Sequence, residues 1–197
     1  MRIYDISQEV FSCEVFSGDP TPKKDAVCSI ENGDLYNLTA FSMCAHNGTH
    51  IDAPSHFIKD GKTVDNIDLS RFVGLAYVVS HHGDVTADDA VKMLENASAL
   101  NIDACKKILI KGEATVTLEA AEVFAEARID LVGNESQTVG PIDAPMQVHL
   151  RLLSENIVLL EGIRLSDVPD GVYFLNAAPI NLGGADGAPV RAILIEF

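Results

Sequence analysis

Short apolar runs alternate with segments of helical spacing through the second half of the chain, and this alternation constrains the fold more than any other feature. Val73 to Ser80, Lys107 to Lys111, Ile129 to Val132 and Ile157 to Leu160 are rich in Ile, Val and Leu. That is the length and composition of buried strands. Between them, Thr86 reads as the N-cap of a helix over 87–97, with Asp88 and Asp89 in its first turn, where the helix dipole favours acids. Thr117 to Arg128 reads as an Ala- and Glu-rich helix, and Val148 to Glu155 carries apolar residues at helical spacing. Strands alternating with helices predict an α/β fold. Elsewhere, Arg2 to Ser7 alternates like a strand, Leu38 to Met43 is extended, and Tyr173–Asn176 and Ala192–Phe197 close the chain as strands. Gly18 to Pro22, Lys59 to Lys62, Gly83 to Thr86 and Leu165 to Asp167 read as turns or connections.

Residues 1–197 are expected to form a single domain, with no internal repeat or linker. A domain of this size buries roughly 70% of its unfolded surface, so it needs no disulfide or structural metal to fold. Fourteen basic residues against 29 acidic ones give a net charge of −15. That balance repels phosphate backbones, and the absence of Trp removes the best base-stacking side chain, so nucleic-acid binding is disfavoured. No run of 18 apolar residues is present and the start, Met1 to Asp5, has no apolar signal core. The expectation is a chain that avoids membranes and works in the cytoplasm. Cys13, Cys28, Cys44 and Cys105 form no C-x-x-C pair, and read as reduced, partly buried thiols.

Of only six histidines, three fall in the segment His46-Asn47-Gly48-Thr49-His50-Ile51-Asp52-Ala53-Pro54-Ser55-His56. Two His four apart could share a helix face, as in zinc sites of the H-E-x-x-H kind. Gly48, the β-branched Thr49 and Ile51, and Pro54 all oppose a helix here. In an extended chain, residues two apart point the same way, so His50 and Asp52 share one side. Gly48 permits a bend that brings His46 round to them. Two imidazoles and a carboxylate are the ligand set of a catalytic metal with one position left open. His56 lies beyond Pro54 and is a candidate general acid or base rather than a ligand.

His149, with Glu161 twelve residues later, is a second candidate set. Glu161 ends the apolar run Ile157 to Leu160, and a carboxylate there is costly unless it is paired, metal-bound or able to reach solvent. The adjacent His81-His82 beside Gly83 reads as a solvated surface pair. Gly183-Gly184-Ala185-Asp186-Gly187 lacks the Lys-Ser/Thr of a phosphate loop and precedes a strand. It reads as a stretch allowing close chain approach or positive φ.

Residues 46–56 resemble the H-x-G-T-H-x-D-x-P-x-H signature of the cyclase-like metal-dependent hydrolase family, which includes bacterial kynurenine formamidase (arylformamidase) and isatin hydrolase. Gly61-Lys62-Thr63-Val64-Asp65 onward, His149-Leu150-Arg151-Leu152-Leu153 through Glu161, and Gly184 to Ala192 are similar to other stretches of that family. The resemblance thus covers nearly the whole chain. It implies a compact three-layer β/β/α domain of the swivelling-domain kind, often dimeric, with two divalent ions, zinc or manganese. By resemblance His46, His50 and Asp52 hold one ion; His149, with Asp52 and Glu161 shared, holds the other. His56 becomes the proton shuttle. The family's W-P-G-D loop is replaced by Phe16-Ser17-Gly18-Asp19, where Phe16 still offers an aromatic face to substrate. Its G-x-D-S-x-S stretch is replaced by Gly133-Asn134-Glu135-Ser136-Gln137-Thr138.

The implied function is hydrolysis of an amide-type C–N bond in a small molecule, with N-formyl-kynurenine the first substrate and a cyclic imide or lactam such as isatin the alternative. A non-catalytic metal- or ligand-binding member is the competing class, and a binder would not need His56. Residues 8–30, rich in turns and apolar side chains, are expected to pack on a neighbouring chain in a homodimer or larger homo-oligomer.

Overall fold

The four apolar runs do become neighbours in one sheet. In the computed structural model, which describes residues 1–197, the chain forms β1 (Arg2–Asp5), β2 (Lys23–Cys28), β3 (Leu38–Ser42), β4 (His50–Asp52), β5 (Val73–Ser80), β6 (Gly83–Val85) and α1 (Ala87–Leu100). There follow β7 (Lys107–Lys111), β8 (Ala114–Val116), α2 (Leu118–Glu126), β9 (Leu131–Asn134), α3 (Met146–Ser154), β10 (Val158–Glu161), β11 (Gly171–Asn176), β12 (Gly187–Pro189) and β13 (Ile193–Glu196). β5, β7, β9 and β10 pair in parallel. Parallel neighbours need a crossover between them, and α1, α2 and α3 supply the three crossovers.

Antiparallel strands extend both sides of this parallel centre, giving a nine-stranded mixed sheet in the order β1-β13-β11-β5-β7-β9-β10-β4-β12. Two small sheets lie apart from it, the β2–β3 hairpin and the short parallel pair β6–β8. The sheet has a core on each face. One joins it to the helices: Ile108, Ile110, Val132 and Leu159 meet Met93, Phe124 and Leu152. The other lies inside the curl of the sheet, where Tyr4, Leu175 and Leu194 from one end meet Ile51, Leu160 and Ala188 from the other. Two cores make three layers, the β/β/α arrangement, in a single α/β domain.

Local chemistry sets the helix starts. The Thr86 side chain accepts from the Asp89 N–H while Asp89 accepts from the Thr86 N–H, a complete capping box. Thr117 caps α2 through the Ala120 N–H at 3.2 Å. α1 runs to Leu100, three residues beyond the expected end, and stops where Asn101 turns extended, its N–H still bonded to the Ala97 carbonyl. The strands expected from Ile129 and Ile157 begin two and one residues later, at Leu131 and Val158. Ile129 and Ile157 are fully buried without belonging to the ladder. The turn expected at 83–86 contains β6, which pairs with β8. No helix is long and apolar enough to cross a membrane.

Candidate functional site

β4 lies between β10 and β12, and its register places the polar cluster. His50 stands opposite Glu161 and Asp52 opposite Leu159. On the other side Gly187 pairs with Asp52 and Pro189 with His50. Alternation along β4 sends Ile51 into the core inside the curl and turns His50 and Asp52 to the helix face. Gly48 takes a φ of +68°, the left-handed conformation that glycine tolerates, and this bend carries His46 back toward Asp52. Thr49 pins the turn: its hydroxyl donates to the Gly162 carbonyl at 2.7 Å and accepts from the Gln8 N–H at 2.9 Å. α3 brings His149 down from the helix layer. Pro54 starts a short 3₁₀ turn that ends at His56, at the mouth of the site.

All five residues expected as metal ligands meet here. His46, His50 and Asp52 form one group of donor atoms within 4.8 Å of one another, and Asp52, His149 and Glu161 form a second. Asp52 belongs to both. His50, Asp52, His149 and Glu161 are buried, each 2% exposed or less. Asp52 Oδ1 lies 2.8 Å from His46 Nδ1 and 3.4 Å from His50 Nε2. Glu161 Oε1 accepts from the Val139 N–H at 2.8 Å and stands 3.2 Å from His149 Nε2. His56 Nε2 is 4.0 Å from Asp52 Oδ2. The cluster opens into a cavity of about 200 Å³ whose apolar walls are Phe16 and Phe57. Phe16 and Asp19, from the loop that replaces the family's W-P-G-D, both line this cavity. His81 bonds the Asp84 carbonyl and takes no part.

The electrostatics favour a cation at the centre. Burial opposes charge on His149, but the neighbouring Asp52 and Glu161 carboxylates outweigh it and lift the imidazole from 6.5 to about 10. Burial likewise opposes charge on His50, yet the same two acids raise it well above its ordinary value. Burial pushes Asp52 upward, and its His149, His46 and His50 neighbours overcome this and hold it well below the usual carboxylate range.

Divalent ions fit this donor set. Asp52 Oδ2 is buried with no hydrogen-bond partner. Leaving such an acceptor unsatisfied costs about 1–3 kcal/mol, more for a charged group, and a bound cation removes that cost. The imidazoles are also oriented as ligands require. His50 Nδ1–H donates to the Gly48 carbonyl at 3.0 Å and His149 Nδ1–H to the Pro145 carbonyl at 2.9 Å. Each leaves Nε2 facing the acids. An outer hydrogen bond of this kind fixes the tautomer of a ligating histidine.

One member of the constellation was not picked out from sequence. Asp186 Oδ2 lies 3.0 Å from His46 Nε2 and 3.1 Å from His56 Nδ1. Its glycine-rich surroundings read as a turn, and both glycine properties do occur there. Gly184 has a φ of +76°, and a Cβ on Gly187 would stand 2.6 Å from His46 Cε1. The usable signal was an acid inside that turn, one residue ahead of a strand.

Comparison with known proteins agrees with the resemblance read from the sequence. The family described as "Putative cyclase" matches residues 4–141. The kynurenine formamidase of Salinibacter ruber is 34% identical over an alignment 215 positions long, gaps included, covering 98% of this chain and 97% of that protein. A solved structure described as a potential metal-dependent hydrolase with cyclase activity superposes with a TM-score of 0.80 at 28% identity, over 98% of this chain and 96% of the other. Isatin hydrolase A from Labrenzia aggregata shares the fold, with a TM-score of 0.83 at 21% identity over 98% of this chain and 93% of the other. With more than half its length matched, the chain belongs to the putative cyclase family.

Proposed function

We propose that this chain is a metal-dependent hydrolase that cleaves the amide-type C–N bond of an aryl formamide, with N-formyl-kynurenine the best-supported substrate. The observation that carries the proposal is the pair of donor groups sharing Asp52, with His56 at their mouth. His46, His50 and Asp52 would hold one ion and His149 the second, with Asp52 and Glu161 shared between them; Glu161 Oε2 lies 3.4 Å from His50 Nε2. Imidazole and carboxylate donors suit zinc, with manganese the alternative. When bound, such ions lower the pKa of water and polarise a carbonyl oxygen.

The chain's own groups do the rest. Phe16 and Phe57 flank the cavity and can take an aromatic ring between them. His56 accepts a proton from the attacking water through Nε2 and returns it to the leaving nitrogen. Water thereby adds across the C–N bond, giving formate and a free arylamine. The full-length likeness to kynurenine formamidases supports the substrate class. The substitution Phe16-Ser17-Gly18-Asp19 at the rim leaves room for a differently shaped ring, so the substrate panel includes isatin and simple cyclic imides. Release of formate from N-formyl-kynurenine by the zinc- or manganese-loaded protein is the test. Turnover of a cyclic amide alone would move the assignment to lactam opening, and no turnover of either would sink the hydrolase reading.

A homodimer belongs to the same proposal. The arm 8–30 leaves Val27 and Ile30 exposed, and β3, which pairs with its β2 strand, adds exposed Leu38 and Phe41 beside them. An arm of this kind is stabilised by packing on a second copy near its site. Light scattering that finds a monomer at micromolar concentration would refute it. Four free, half-buried thiols support a reducing compartment, the cytoplasm, as the place of work.

A further inference from the structure

We infer that Asp186 is a positioning residue which, with a single carboxylate oxygen, fixes the tautomers of both His46 and His56. The inference rests on the proposed roles of those two histidines. Four imidazoles face the acidic cluster, and each has an outer nitrogen that must be satisfied. For His50 and His149 a backbone carbonyl does this. For His46 and His56 the partner is the same atom, Asp186 Oδ2, at 3.0 and 3.1 Å. The rings lie nearly stacked, with centroids 4.0 Å apart and planes 30° from parallel. That is the spacing expected of two donors converging on one acceptor.

Asp186 provides the only hydrogen bond to the His56 ring. With Nδ1–H donated outward, His56 keeps the Nε2 lone pair facing Asp52, as a proton acceptor needs. His46 faces a carboxylate at each end, Asp52 Oδ1 2.8 Å from Nδ1 and Asp186 Oδ2 3.0 Å from Nε2; with Nε2–H donated to Asp186, Nδ1 is left to the ion that would sit beside Asp52, as a ligand needs. A proton on the other nitrogen of either ring would disable it.

The backbone around Asp186 is built to hold it. The Ala53 N–H donates to the Asp186 carbonyl at 2.9 Å, joining it to the strand that carries His50 and Asp52. The Val64 N–H donates to the Ala185 carbonyl at 2.9 Å, and the Gly184 N–H to Asp65 Oδ1 at 3.0 Å. The turn is therefore tied on both flanks, while the carboxylate itself stays half exposed and free of the core. Asp186→Asn should accordingly fold. Both rings meet the same atom, so the amide offers them either its oxygen, a neutral and weaker acceptor than a carboxylate, or its NH₂ group, which accepts from neither.

The test uses the zinc-loaded protein and two readouts. Long-range ¹H–¹⁵N spectra report which nitrogen of each histidine carries hydrogen. Wild type should show His56 with hydrogen on Nδ1, and Asp186→Asn should lose that preference. In turnover, Asp186→Asn should lose about 10²-fold in kcat, with KM changed less than about threefold and zinc retained at saturation. Hydrogen on Nε2 of His56 in wild type would overturn the inference. So would a kcat within about threefold of wild type, a loss carried by KM, or failure to load zinc at saturation, which would make Asp186 a ligand. Should Asp186→Asn not fold, the wild-type spectrum still decides. A protein that hydrolyses no amide would sink the functional reading, and the tautomer measurement would stand apart from it.

Discussion

Gly187→Ala puts the coupling between fold and site under direct strain. Gly187 sits in β12 opposite Asp52. A Cβ added there would lie 2.6 Å from His46 Cε1 and 2.7 Å from the Ile51 carbonyl oxygen. Both are roughly 1 Å short of ordinary contact. The Ile51 oxygen belongs to the backbone of β4 and cannot turn aside, so the strands must part or the His46 ring must leave its place. Overpacking of this kind costs about 1–3 kcal/mol. Replacing glycine by alanine returns about 0.4–1 kcal/mol by narrowing the unfolded ensemble. The net loss is about 1–2 kcal/mol, which for a chain of this size lowers Tm by roughly 2–8 °C. Gly183→Ala is the control. A Cβ there meets only Asp65 Oδ2, at 4.0 Å, and no positive φ opposes it, so its Tm should match or slightly exceed wild type. The assay is thermal melting of the metal-free proteins, followed by metal analysis after loading. Displacement of His46 should weaken one of the two sites in Gly187→Ala and neither in Gly183→Ala. Equal melting temperatures and equal metal content in Gly187→Ala and wild type would refute the reasoning.

The other expectations concern the donor set. Elemental analysis of the fully loaded protein should find two divalent ions per chain, and His149→Ala should lose about one of them; one ion in wild type would reject the shared-Asp52 arrangement. His56→Ala should keep its metals and lose turnover by a factor of about 10²–10⁴. His50→Ala should lose metal and turnover together, and added metal should raise its Tm much less than that of His56→Ala. In the metal-free protein His149 has a raised value of about 10 against 6.5 unfolded. Its proton therefore stabilises the fold fully below pH 6.5, and that stability is lost as pH rises toward 10. Tm of the metal-free wild type should fall across this window, and that of His149→Ala should fall less.

What the sequence revealed here was local, and what it hid was the pairing of distant segments. Gly48 and Pro54 ruled out a helix in the histidine segment, and alternation then put His50 and Asp52 on one side, as β4 does. The cap read at Thr86 placed the start of α1 because capping is settled within four residues, whereas the helix read from Thr117 begins at Leu118, with Thr117 as its cap. The strand boundaries at Ile129 and Ile157 slipped because periodicity reads burial, and both side chains are buried outside the hydrogen-bonded ladder. β6 and β8 are three residues each, too short for any period to register. β2 is exposed through Lys23 to Val27, so it lacks the half-buried alternation by which a strand is recognised.

The same division explains the site. Glu161 could be suspected because an acid ending an apolar run costs energy on its own terms. Its partners were given only by the family resemblance, since the register that sets it opposite His50 joins residues far apart in sequence. Asp186 shows the limit most plainly. Nothing costly marks an acid in a glycine-rich turn, which can always face water. Its meaning comes from the Ala53 and Val64 amides that fix the turn against the histidine segment. A buried acid announces a need for a partner, whereas a half-exposed one acquires its role only when the fold brings the histidines to it. The ligands could therefore be proposed from sequence, and the group that orients two of the imidazoles had to wait for the geometry.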